Sequence, residues 1–131
     1  MRTPLLFVGL ALLSVSPSVL AQDDAEINDA YQKAAEGLTK YKVGRYAEAL
    51  DDYTRAYTIV HLPALAVHIA RANVKLGRFV AAMQFYDEAL TLSDGVGDPQ
   101  IQARARVEAK AEGQALLPRI PRLLFHASGV N

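Results

Sequence analysis

Apolar positions along the chain fall mainly in steps of three and four, the spacing that lines up side chains on one face of an α-helix. Ile27, Tyr31, Ala34, Leu38 and Tyr41 form a first stripe of this kind. Tyr46, Ala49, Leu50, Tyr53, Ala56, Tyr57 and Val60 form a second. A third holds Leu65, Ile69, Ala72 and Leu76, and a fourth holds Phe79, Ala82, Met83, Tyr86, Ala89 and Leu90. None of them shows the strict alternation of a half-buried strand. Gly44 separates the first stripe from the second and Gly77 the third from the fourth. Glycine there can take the left-handed conformation that closes a helix. Pro63 breaks the chain between the second and third stripes.

Beyond the fourth stripe, Ser93-Asp94-Gly95-Val96-Gly97 reads as a turn-rich loop. Asp98-Pro99 then supplies an N-cap followed by proline at the first helical position. A fifth, alanine-rich helix is predicted from Pro99 to about Leu117. Pro118 and Pro121 end it, since each proline drives the preceding residue towards an extended conformation. Arg122 to Ala127 then reads as a short strand.

Self-comparison shows that the second and fourth stripes are copies. Gly44, Tyr46, Ala49, Tyr53 and Ala56 recur 33 residues later as Gly77, Phe79, Ala82, Tyr86 and Ala89. Each has a steric reason to recur. Ala49 and Ala82 fall where two helices cross closely, and a larger side chain there would force them apart. Tyr53 and Tyr86 fill the space one turn further on, and Ala56 and Ala89 again permit close approach.

This doubled glycine–aromatic–alanine–tyrosine–alanine frame resembles the tetratricopeptide repeat family, whose units pair a helix A with a helix B. The resemblance covers roughly residues 26 to 94. It implies an all-α fold, a short α-solenoid of two helical hairpins. The fifth helix would cap the open side of the second hairpin, as the end of a stacked array requires. The family's large helix-A residues are replaced in the second copy by Ala66, Ile69, Ala70 and Asn73. The segments Pro63-Ala64-Leu65, Ala70-Arg71-Ala72, Lys75-Leu76-Gly77-Arg78 and Leu117-Pro118-Arg119-Ile120-Pro121-Arg122-Leu123 are also similar to exported Gram-negative proteins of this family. In those, an arginine–isoleucine–proline segment leads into a small β-rich, PEGA-like domain.

The first residues read as an address. Met1-Arg2 gives a positive start, Leu5 to Leu13 is almost unbroken apolar sequence, and Val19-Leu20-Ala21 precedes Gln22-Asp23-Asp24. This is the layout of a secretory signal peptide cleaved after Ala21. The run is shorter than the roughly 20 apolar residues of a membrane span. The expected division is a signal peptide at 1–21, a helical domain at 22–117, and 118–131 as an extended tail or the start of a β-domain. The expected location is periplasmic or secreted, with no stable membrane anchor after cleavage.

Composition narrows the chemistry. At 51% hydrophobic and 21% charged residues, the chain has the makings of a packed core and not of a disordered segment. It has no cysteine, which excludes disulfides, thiolate metal sites, a cysteine nucleophile and a lipid anchor on cysteine. Without residues 1–21, which hold Arg2 and no acid, 13 basic groups face 14 acidic ones. There is no excess positive charge to neutralise a nucleic-acid backbone, so no nucleic-acid partner is expected.

No catalytic or cofactor-binding constellation is found. His61 and His68 lie on opposite sides of Pro63 and cannot form a helical metal pair, and His126 is far along the chain, so no metal site is expected. Asp51-Asp52 and Asp87-Glu88 are adjacent pairs that point to different sides of a helix and read as solvated faces. Gly95 and Gly97 lack the lysine and spacing of a phosphate loop. Tyr41, Tyr46, Tyr53 and Tyr86 fall at packing positions. An enzyme is therefore not expected, nor any cofactor.

The remaining candidate surface is the concave face that the resemblance assigns to the A helices. It would include Lys42 and Val43 from the first hairpin, and Val67, Arg71, Val74 and Lys75 from the second. Arg71 and Lys75 would steer an acidic or carboxylate-ended segment, with Val67 and Val74 supplying apolar contact. Some relatives grip a carboxylate with lysine and asparagine on the first helix; the matching places here are Ala35 and Thr39, which do not supply that mode. The expected function is a non-catalytic module of the envelope or periplasm that binds a partner peptide or helix. The alternative is a structural, self-associating protein whose helices display or dimerise a β-domain. A homodimer through Ile27, Tyr31 or Tyr57 is expected because nothing covers the outer side of the first hairpin.

Overall fold

The structure, a computed structural model, describes residues 17–122, with side chains from residue 23. It is all-helical, with five α-helices and no strand among the described residues: α1 Pro17–Lys42, α2 Tyr46–Ile59, α3 Pro63–Lys75, α4 Phe79–Thr91 and α5 Pro99–Leu116. A 3-10 turn, Leu117–Arg119, extends α5. The breaks fall where local chemistry puts them. Gly44 and Gly77 take φ of 82° and 73°. In each case the next residue's N–H donates back five positions, Arg45 to Lys40 O at 3.0 Å and Arg78 to Asn73 O at 2.8 Å. These bonds satisfy carbonyls that the helix end would otherwise leave without a partner. Pro63 and Pro99 open α3 and α5, where the missing N–H costs nothing. Asp98 caps α5 by accepting from the N–H groups of Gln100 and Ile101 at 2.8 and 3.2 Å.

Each helix packs on the next in chain order, and α3 also packs on α5. The core is built from small residues at the crossings and tyrosines beside them. Ala49, Ala56, Ala66, Ala70, Ala72, Ala82 and Ala89 are all fully buried, and Tyr53 and Tyr86 nearly so. Alanines let the helix axes approach, and the two rings fill the spaces that approach leaves. Gly37 on α1 lets α2 approach closely. A Cβ there would lie 2.8 Å from Tyr53 Cε1 and 3.2 Å from the Ala49 carbonyl oxygen.

Several expectations need correction. Asp52 is not part of a solvated face: it is buried, and its carboxylate accepts from Lys40 Nζ at 2.5 Å, tying α1 to α2. Tyr57 is not on an open outer face. It is 8% exposed, lies against Phe85 and His61, and donates to Glu88 Oε1 at 2.5 Å. Tyr31 is exposed, but its hydroxyl reaches Val96 O at 3.4 Å. Of the two aromatics expected at the dimer surface, Tyr57 is therefore in the core and Tyr31 remains exposed. Pro118 does not open an extended segment but sits within the 3-10 turn, because proline's fixed φ also suits the first turn of such a helix; Ile120, which ends the turn, has extended backbone. The expected strand from Arg122 to Ala127 and the apolar core of the expected signal peptide lie outside the described residues. α1 runs through the expected cleavage point between Ala21 and Gln22. Among the described residues no helix is long and apolar enough to cross a membrane.

Candidate functional site: a cleft at three helix ends

The C-terminal ends of α1, α3 and α5 meet around an open cleft of about 340 Å³. Tyr41 comes from α1, Arg71, Val74 and Lys75 from α3, Tyr86 from α4, and Glu112, Ala115 and Leu116 from α5. Arg119 on the 3-10 turn completes it. The positions follow from the local sequence: the glycine stops place Tyr41 and Lys75 in the last turns of their helices, where a cation also meets the negative end of the helix dipole.

One wall of the cleft is a polar network that joins α3 to α5. Arg71 donates from Nε to both Glu112 oxygens at 3.1 and 3.0 Å and from Nη2 to Glu112 Oε1 at 2.5 Å. Nη2 also reaches Glu108 Oε2 at 2.8 Å. Tyr86 donates its hydroxyl to Glu112 Oε2 at 2.7 Å. The hydrogen bonds to Glu112 raise the Arg71 pKa further above its ordinary value. Burial pushes the Glu112 carboxyl up, but the bonds from Arg71 and Tyr86 outweigh it and leave the group below the usual carboxylate range. Burial and the bond to Glu112 raise the Tyr86 phenol. Behind this wall, His68 stacks on Tyr53 with ring centroids 5.1 Å apart. Burial, and then the charge of Arg71, hold its imidazole below the ordinary value. Burial pushes the Tyr53 phenol up to about 12.

The other wall carries cations that no described carboxylate pairs. Lys75 Nζ lies 5.8 Å from the centroid of the Tyr46 ring, which itself meets Tyr41 edge-on at 5.1 Å. The Arg119 guanidinium lies 4.6 Å from the Phe79 ring. Aromatic faces hold both charges in place without neutralising them. Between the walls, Val74 and Leu116 give the cleft an apolar floor.

The five partner-binding residues expected from sequence therefore separate. Val74 and Lys75 line the cleft, and Lys42 is exposed at the end of α1 but outside its lining. Arg71 lines it too, though its charge is spent on Glu108 and Glu112 and not left to solvent. Val67 is 1% exposed and belongs to the core, because α5 lies over the face of α3 that the concave reading left open. Val43 is exposed and stands apart from the cleft. Sequence reasoning missed Glu112, Leu116 and Arg119. Glu108 and Glu112 did carry a signal: two acids one turn apart on a helix repel unless a cation faces them.

Comparison of the chain with protein-family models, with curated proteins and with solved structures finds no match.

Proposed function

We propose that the protein is a non-catalytic interaction module, built as a short tetratricopeptide-like stack, that holds an extended or helical segment of another protein in this cleft. The observation that carries the reading is the pairing of an apolar floor, Val74 and Leu116, with two cations, Lys75 and Arg119, held on aromatic rings. An aliphatic side chain flanked by acidic groups satisfies both at once. Two features support the stack. Gly44 and Gly77 close their helices with matching hydrogen bonds, and Ala49, Tyr53 and Ala56 share the burial of Ala82, Tyr86 and Ala89. The enzyme alternative has no support of comparable kind: the carboxylate of Glu112, the guanidinium of Arg71 and the phenol of Tyr86 are engaged with one another in holding α5.

Selection of phage-displayed random peptides against the protein tests the reading. Enriched sequences are expected to combine an aliphatic residue with two or more acids. Reversing Lys75→Glu and Arg119→Glu together should weaken their binding at least tenfold while leaving the circular dichroism spectrum unchanged. Enrichment that ignores both reversals would place recognition elsewhere. Export to the periplasm or medium is part of the same proposal and rests on residues 1–21; sequencing of the exported protein should find Gln22 first, and a retained Met1 contradicts it.

A further inference from the structure

A second concavity, of about 400 Å³, lies between α4 and α5 and shares no lining residue with the cleft. Met83 and Leu90 on α4 and Leu117 after α5 make its walls apolar, and Gly113 lines it without a side chain. Leu90 and Leu117 are 42% and 45% exposed, which is high for leucines that line a groove. Its charges are divided by wall. Asp87 belongs to α4 and Lys110 to α5, both are exposed, and neither is ion-paired within the described residues.

This division decides the occupant. A partner segment of one charge sign meets one attractive wall and one repulsive wall. A second copy of the same groove does not. With a two-fold axis running along the groove, α4 of one copy faces α5 of the other. Asp87 then meets Lys110 twice, and the exposed leucines of each copy enter the groove of its partner. Such a surface is complementary to itself, as a two-fold interface requires. We infer that the α4–α5 groove is the interface of a homodimer of this chain. The cleft at the ends of α1, α3 and α5 stays open in that dimer, so the inference stands or falls separately from the proposed function.

Charge exchange tests it. Sedimentation equilibrium of the unaltered chain should show a monomer–dimer equilibrium. Asp87→Lys alone and Lys110→Asp alone should each raise the dimer dissociation constant at least tenfold, since each makes both walls the same sign. Mixing the two variants should restore association as a heterodimer, because lysine then faces aspartate at both contacts. That recovery also shows that neither variant has lost its fold. A chain that stays monomeric at all concentrations overturns the inference, as would a groove filled instead by another segment or another protein. So does a dimer indifferent to either reversal, which would use another face, or a mixture that fails to associate.

Discussion

Gly37→Ala and Gly113→Ala make the same chemical change on buried faces of helices, and the packing predicts opposite signs. In a helix interior, alanine is favoured over glycine by about 1 kcal/mol. At Gly113 the added Cβ would meet Tyr86 Cβ at 3.4 Å and Met83 Cε at 3.7 Å, ordinary contact distances. The propensity gain should survive there, giving a stabilisation of roughly 0.5–1 kcal/mol. At Gly37 the Cβ would lie 2.8 and 2.9 Å from two Tyr53 ring carbons. That ring cannot swing away, because it is 1% exposed and stacked on His68. The backbone oxygen of Ala49 at 3.2 Å blocks a simple shift of α1. Overpacking of this kind costs about 1–3 kcal/mol, so the net effect should be a loss of roughly 1 kcal/mol. In a domain of this size that is about 4–8 °C in Tm. Urea titrations of the two variants beside the parent chain measure the difference. If Gly37→Ala stabilises as much as Gly113→Ala, α1 does not pack against Tyr53 at this distance.

Three other outcomes follow from the same packing. Ala82→Leu, at a fully buried crossing, should destabilise by roughly 1–3 kcal/mol, whereas the exposed Gln84→Leu should change stability by under about 0.5 kcal/mol; equal melting temperatures would refute the geometry. Stability should fall on acidification in two stages, because the folded-state pKa values of His68 and Glu112 both lie below their ordinary values. Each contribution is complete above the ordinary value, about 6.5 for His68 and about 4.3 for Glu112, and is lost as pH falls through the lowered one. Denaturant titrations from pH 8 to pH 3 should show the decline, and a flat profile contradicts it. Glu112→Gln should flatten the lower stage and cost about 1 kcal/mol at neutral pH, a charge-assisted bond discounted for its partial exposure; an unchanged acid limb in that variant would assign the titration to another group.

The helices were legible because their signals are local. Apolar stripes, Gly44, Gly77, Pro63 and the Asp98-Pro99 cap each act within a few residues, and each element begins or ends at its marker. The cleft was legible only in part. Val74 and Lys75, which the repeat register puts on an open face, do line the cleft, but exposure depends on what lies opposite, and the docking of α5 over α3 is a long-range event. It buried Val67 and neutralised Arg71, and no pattern within α3 reports it. Asp52 was misjudged for the same reason: its partner Lys40 lies on another helix, so adjacency to Asp51 said nothing about its environment. Gly37 was within reach, since the residue 33 positions later, Ala70, is also small and fully buried.

The claim that the cleft is the binding surface is tested most directly by nuclear magnetic resonance. A peptide enriched by the phage selection is titrated into isotopically labelled protein, and amide shifts are followed residue by residue. The account predicts the largest changes at Tyr41, Val74, Lys75, Leu116 and Arg119, with little change at Met83, Leu90 and Lys110 in the α4–α5 groove. Saturable binding whose shifts centre on α4, or on the outer face of α1 away from Tyr41, would contradict it.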